Sequence, residues 1–228
     1  DAHTHRLEKS SVVSVNLNIP IKEDLVDFFS QGIHPWSLKK DNLLSNFINV
    51  VKKIKNNKKL VAIGETGLDK NTPNFSNQKL LFMAHVDMAI RLNLPLIVHC
   101  VNAQNEILSI LKSMDYQNNL MIHGFNGSRQ EALELISRGY SLGIGPQVFS
   151  NMKINKYLHQ LSLDNLLLET DDSDLSKITI VNKLSEIFNI SKEGLVDKLN
   201  RNFNLFFGII SKIDISIFFK SLVIHFFN

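Results

Sequence analysis

The stretch LVAIGETGLDKNTPNFSNQKLLFMAHVDMAIRLNLPLIVHC, running from Leu60 to Cys100, decides the fold class. Leu60 to Glu65 is a short apolar run closed by turn-forming residues, and Leu96 to Cys100 is apolar and rich in β-formers. Between them, Ser76 to Leu92 places apolar side chains at three- and four-residue spacing, the period of an amphipathic helix. Strand, helix and strand in immediate succession are the repeating unit of an α/β fold.

Outward from this unit the alternation continues. Leu120 to His123, Tyr140 to Ile144 and Leu166 to Glu169 read as strands. Asp41 to Ile54, Asn102 to Met114, Ser128 to Arg138, Asn151 to Leu161, Leu175 to Phe188 and Ser191 to Phe207 read as helices. Ala2 to His5, Val12 to Asn18 and Phe28 to His34 bring the strands to eight, the pattern of a TIM-type (β/α)8 barrel. Arg6 to Ser11 and Ile19 to Asp27 are too short for the usual crossover of a dozen residues or more. The barrel is therefore expected to be abbreviated or irregular at its N-terminal βα units, with one or two outer helices missing.

At 228 residues the chain suits one domain and buries enough surface to fold without a structural metal, so a metal here would serve function. Apolar residues at 44% and charged residues at 21% exclude a disordered, collagen-like or disulfide-scaffold chain. A net charge of +3 and a pI near 8.9 permit a polyanionic substrate. With 20 Lys and only 5 Arg, the planar forks that grip phosphate are scarce, which excludes tight general coating of DNA. The single cysteine forms no internal disulfide and fits a reducing compartment. No run approaches the roughly 20 apolar residues of a membrane helix and no leader is seen, so a cytoplasmic protein is expected.

Barrel active sites gather at the C-terminal ends of strands, where this chain repeatedly places ionisable groups. In Asp1-Ala2-His3-Thr4-His5 the histidines are two apart on a strand and face the same way, as a metal-ligand pair would. His99 and His123 close apolar strands; alone either would read as a structural histidine, but four histidines at three strand ends read as a site. Cys100 should face away from His99 as a small buried hydrophobe. Glu65 closes its strand, with Gly64 and Gly67 permitting a tight loop, and could bridge two cations. Glu169 and Asp171 should aim at one side and repel unless a cation intervenes or one is protonated; a helix N-cap at Asp171 or Asp172 is the alternative, and the Leu166-Leu167-Leu168 lead-in favours the site. His3, His5, Glu65, His99, His123 and Asp171 suffice for two divalent ions, Zn²⁺ by nitrogen content, or Mn²⁺ or Mg²⁺ with water. Such a pair suits hydrolysis by in-line displacement.

These residues resemble the TatD family of metal-dependent deoxyribonucleases in the amidohydrolase superfamily, in particular a compact subgroup. The resemblance runs from Asp1 to about Phe207. It rests, in the family's order, on Asp1-Ala2-His3-Thr4-His5, Gly32-Ile33-His34-Pro35-Trp36, Gly64-Glu65-Thr66-Gly67-Leu68-Asp69, Pro95-Leu96-Ile97-Val98-His99, His123-Gly124-Phe125-Asn126-Gly127, Glu169-Thr170-Asp171 and Asn202-Phe203. It implies that His3, His5 and Asp171 hold one ion, His99 and His123 the other, and that Glu65 bridges them. It further implies hydrolysis of DNA phosphodiesters, chiefly as a 3′ exonuclease on single strands, with Asp171 as proton acceptor. His34 is assigned to phosphate or leaving-group contact and Glu169 to a supporting proton transfer. Trp36, Lys70, Asn126, Ser128 and Arg129 lie where they could meet substrate. The basic run Lys52 to Lys59 precedes the Glu65 strand and belongs to the far end of the barrel. A hydrolase of a small ester, lactone, amide or phosphate monoester is the alternative, and an inactive metal-binding relative the second. The barrel is expected to span 1–207, leaving 208–228 as an apolar tail outside the resemblance.

Overall fold

The computed structural model describes residues 1–7, 9–16, 23–38, 47 and 57–209. The expected helix Asp41 to Ile54, apart from Phe47, lies outside the described residues, as do 52–56 of the basic run, the end of the second expected strand, and 210–228. Seven parallel strands form one sheet in sequence order: β1 (Val12–Asn16), β2 (Phe28–Gly32), β3 (Leu60–Asp69), β4 (Leu96–Val101), β5 (Leu120–Ile122), β6 (Ser141–Ile144) and β7 (Leu166–Leu168). The N-terminal segment joins its two edges. Ala2 donates its N–H to Leu168 O at 2.7 Å, Ser14 donates to Thr4 O at 2.8 Å, and Thr4 bridges both Val13 and Asp171. Residues 1–5 thus take the eighth place of a (β/α)8 ring as a bridge rather than a regular strand, and the ring closes without an exposed edge.

The helices are α1 (Phe75–Leu92), α2 (Gln104–Ser113), α3 (Arg129–Ser137), α4 (Gln147–Ser150), α5 (Met152–Leu158), α6 (Lys177–Phe188) and α7 (Lys192–Phe207). Ser128, Ser176 and Ser191 accept bonds from the first turns of α3, α6 and α7, and at Ser128 the reciprocal bond from Glu131 completes a capping box. Among the described residues only a single turn at Glu23–Leu25 stands between β1 and β2, the abbreviation the short spacing requires. No helix of the described residues is long and apolar enough to cross a membrane.

The core has two layers. Ala2, Val12, Val61, Ala62, Ile97, Met121 and Leu167 fill the barrel with Phe206 and Phe207 of α7. Asn202 of α7 donates to Leu166 O at 2.8 Å, which sets this helix at the strands' N-terminal ends. The larger layer, including Phe29, Phe82, Leu96, Leu120 and Leu135, lies between sheet and helices. Strand alternation then places the site: two residues beyond Ile97, Met121 and Leu167 come His99, His123 and Glu169.

β3 departs from expectation. It passes Glu65 and runs to Asp69, buried along its whole length, and its register against β4 shifts between Ile63 and Thr66. Gly67, at φ +151°, lies so near the His99 carbonyl that any Cβ would collide with it. The glycines let two strands approach closely instead of forming a loop.

His85 of α1 ties the helix layer to the site. Its buried ring accepts the Ile33 N–H at Nε2 (3.1 Å), so Nδ1 carries the proton donated to Leu81 O (2.8 Å). Burial holds its pKa down to about 4. Between that value and the unfolded value of 6.5 the unfolded chain binds the extra proton, so stability is lost as pH falls through this window. Urea melts should show wild type losing about 2 kcal/mol more than His85→Gln between pH 7 and pH 5. Equal losses would show that His85 is not the source.

Candidate metal centre

Five imidazoles converge on Glu65, which is only 5% exposed. Its Oε2 lies 3.4 Å from His3 Nε2 and 3.5 Å from His5 Nε2. Its Oε1 lies 3.0 Å from His99 Nδ1, 3.1 Å from His34 Nε2 and 3.6 Å from His123 Nε2. Asp171 Oδ1 stands 3.7 Å from His3 Nε2 and 3.5 Å from His5 Nε2. The two oxygens of one carboxylate thus face two different sets of nitrogens.

This donor set fits divalent cations. Ligands about 2.0–2.1 Å from a tetrahedral centre stand roughly 3.4 Å apart, and the Oε2 group matches that spacing. Both ring nitrogens of buried His3 lack a hydrogen-bond partner, an arrangement that costs free energy unless a nitrogen binds a cation. The groupings His3, His5, Glu65 and His3, His123, Asp171 each bring their donors within 4.8 Å, as do His34, Glu65 and His99.

Hydrogen bonds divide ligands from donors within this last group. The Trp36 backbone N–H donates to His34 Nδ1 at 3.2 Å, so in neutral His34 the proton sits on Nε2 and points into the site. His123 Nδ1 stands 3.1 Å from Glu169 Oε2, so in neutral His123 the proton sits on Nδ1 and the Nε2 lone pair faces Glu65 and Asp171. His99 Nε2 faces Asp69 Oδ2 at 3.5 Å, leaving Nδ1 toward Glu65. His34 is built to give a proton or hydrogen bond, His99 and His123 to give lone pairs.

Electrostatics follow from the crowding. Burial alone would raise the Glu65 pKa, but the imidazoles of His3, His34, His5 and His99 crowded against its oxygens hold it well below the ordinary range. Burial likewise opposes a charge on His123, yet Glu169, Glu65 and Asp171 push its pKa up to about 10. His3 is lowered by burial and by neighbouring His123; His5 is raised, first by its bond to Glu65. Cys100, packed against the core, is pushed up to about 11 by burial, which suits a hydrophobe and not a nucleophile.

A cleft of about 370 Å³ opens over the centre, lined by His5, His34, Trp36, Glu65, His99, His123 and Asp171 among others. A second cavity of about 250 Å³, with Asn126, Gln147 and Glu169 in its wall, shares Asp171 and Asp172 with the first. Glu169 and Asp171 both turn toward the site, as the i, i+2 spacing suggests, but they meet it on different sides of His123. β7 ends at Leu168 and Asp171 is left-handed at φ 54°, so strand alternation no longer applies and the two carboxylates flank His123 from opposite ring nitrogens. Both Glu169 oxygens are engaged, one by His123 Nδ1 at 3.1 Å and the other by the Gly124 N–H at 2.7 Å, an arrangement that orients the His123 ring. Lys70 pairs with Glu106 at 2.6 Å, and neither it nor Arg129 at the start of α3 lines either of these two cavities. Asp69 escaped the sequence reading because it sits beyond the expected strand end. It is 2% exposed and receives the Trp36 Nε1–H at 2.6 Å, while buried Gln78 pairs with both its backbone N–H (2.7 Å) and its carbonyl (3.0 Å).

The family described as TatD related DNase matches residues 21–208. The chain belongs to the TatD family. A relative in Buchnera aphidicola subsp. Baizongia pistaciae, named an uncharacterized metal-dependent hydrolase, is 31% identical over 191 residues, covering 75% of this chain and 71% of that protein. The 3′-5′ ssDNA/RNA exonuclease TatD of Pantoea ananatis is 30% identical over 151 residues, covering 61% of this chain and 55% of that protein. The chain thus matches little more than half of the latter's length. The crystal structure of YjjV, a TatD homologue from Escherichia coli, shares the fold with a TM-score of 0.73 over 88% of this chain and 86% of that one, at 22% identity.

In this TatD member Asp69 stands where a carboxylate behind a ligating histidine fixes the ring. Asp69→Ala should weaken divalent-metal affinity by roughly 10- to 100-fold in chelator competition. Unchanged affinity would show that His99 is held in place by other contacts.

Proposed function

We propose that the chain hydrolyses phosphodiester bonds of single-stranded DNA, removing nucleotides from the 3′ end, with two divalent ions as cofactors. The carrying observation is that Glu65 turns Oε2 to His3 and His5, both of which also neighbour Asp171, and Oε1 to His99, His34 and His123. When bound, a divalent pair supplies Lewis-acid stabilisation of phosphoryl charge and acidifies water. Zn²⁺ suits the nitrogen-rich donors best, with Mn²⁺ or Mg²⁺ as alternatives. Neither cavity is lined by a described Lys or Arg, so a phosphate entering here depends on cations and histidines for charge compensation. The exonuclease name of the Pantoea relative supports the substrate class. A cytoplasmic setting is part of the reading, supported by the lone cysteine.

The residues divide the work. Asp171, at the cleft wall, accepts the proton of the attacking water as the new O–P bond forms. His34 gives its Nε2–H to phosphate or to the leaving oxygen as the old P–O bond breaks. Glu169 keeps His123 in its ligating tautomer, and Asp69 does the same for His99.

Release of nucleotides from end-labelled single-stranded DNA, with Mg²⁺, Mn²⁺ or Zn²⁺ added, tests the activity. Glu65→Gln and His99→Ala should abolish release and lower metal content. His34→Ala should cost roughly 10²- to 10⁴-fold in rate while the metal content stays at the wild-type level. Loss of metal in His34→Ala would make it a ligand instead. Bound metal without nucleotide release would shift the substrate to a small ester, lactone, amide or phosphate monoester.

A further inference from the structure

Trp36 is the only tryptophan of the chain and is 67% exposed, although it lines the cleft beside the Glu65 centre. A single exposed aromatic is ordinary on a protein surface; its place on the cleft wall is what sets this one apart. Its plane is held. Pro35 before it is buried, its Nε1–H is tied to buried Asp69, and its ring meets those of His34 and His99 edge-on at centroid distances of 4.8 and 5.6 Å. An indole pinned at its polar edge and bare on a face has paid its ordering cost before any ligand arrives.

We infer that Trp36 is a stacking platform for one unpaired nucleobase of a strand whose phosphate lies at the Glu65 centre, and that it thereby selects single-stranded over duplex substrate. This rests on the nuclease reading above. A flat π-face beside a site for an anion matches a nucleotide, which carries both on one flexible unit. A base inside a duplex has both faces occupied by its neighbours, so only an unpaired or frayed base can lie on the indole. The contact is indifferent to base identity, since every base offers a face.

The test measures binding of a labelled, phosphorothioate-linked oligothymidylate with Mg²⁺ by fluorescence anisotropy, in a series where one abasic site is walked along the strand. For wild type, one abasic position should weaken binding about tenfold. Trp36→Leu should bind about tenfold more weakly and lose its sensitivity at that position, while Trp36→Tyr keeps most of it. Since Trp36→Leu also removes the bond to Asp69, quenching of the lone tryptophan in unaltered protein supplies a second measurement: the intact strand should quench it, and the strand abasic at that position should not. Equal abasic sensitivity of wild type and Trp36→Leu at every position, with no quenching, overturns the platform while nucleotide release by wild type leaves the nuclease reading standing. Absence of both strand binding and nucleotide release overturns the two together.

Discussion

One buried carboxylate facing five imidazoles sets the terms for this structure. Glu65 cannot be ionised inside a barrel without compensation, and five nitrogens at 3.0–3.6 Å provide it. Those nitrogens come from the N-terminal segment, the end of β2, β4 and the end of β5, so most of the ring must close before the charge is satisfied. The bonds between residues 1–5 and both β7 and β1 belong to the same arrangement, because they carry His3 and His5 to Oε2. Fold closure and site assembly are one event.

Around that centre a second circle of partners decides what each imidazole can do. The Trp36 N–H, Asp69 and Glu169 each engage the ring nitrogen that faces away from Glu65. A backbone N–H forces a donor into the site at His34, whereas carboxylates leave lone pairs facing inward at His99 and His123. Chemically similar side chains are thus sorted into a proton-giving group and ligating groups by what stands behind them. The His85 bond to Ile33 belongs to the same layer of control, since it anchors the backbone one residue before His34.

Much of this was legible in the chain. Apolar runs alternating with helical periodicity identify the barrel, and the short spacer after β1 leaves little room before β2, where one turn is described. Polar residues closing apolar strands single out His99, His123 and Glu65 as candidates, and folding brings the three together. Ser128 and Ser191 open two of the expected helices, and in the structure each accepts a bond from the first turn of its helix, whereas the cap of α6 falls on Ser176, one residue inside the expected start.

Other features depended on contacts between residues far apart in sequence. The extension of β3 to Asp69 comes from its packing against β4, which no local pattern encodes, and it places Asp69 behind His99. The split of Glu169 from Asp171 comes from the end of β7 at Leu168 and the left-handed turn after it. Strand periodicity predicts facing only while the strand lasts. The sequence by itself determined the barrel and which residue types surround the metal centre, because hydrophobic period and strand-end chemistry are local. Only the tertiary structure decided which nitrogen of each histidine faces inward and how the Trp36 indole is held at the cleft, because those depend on hydrogen-bond partners that folding alone brings within reach.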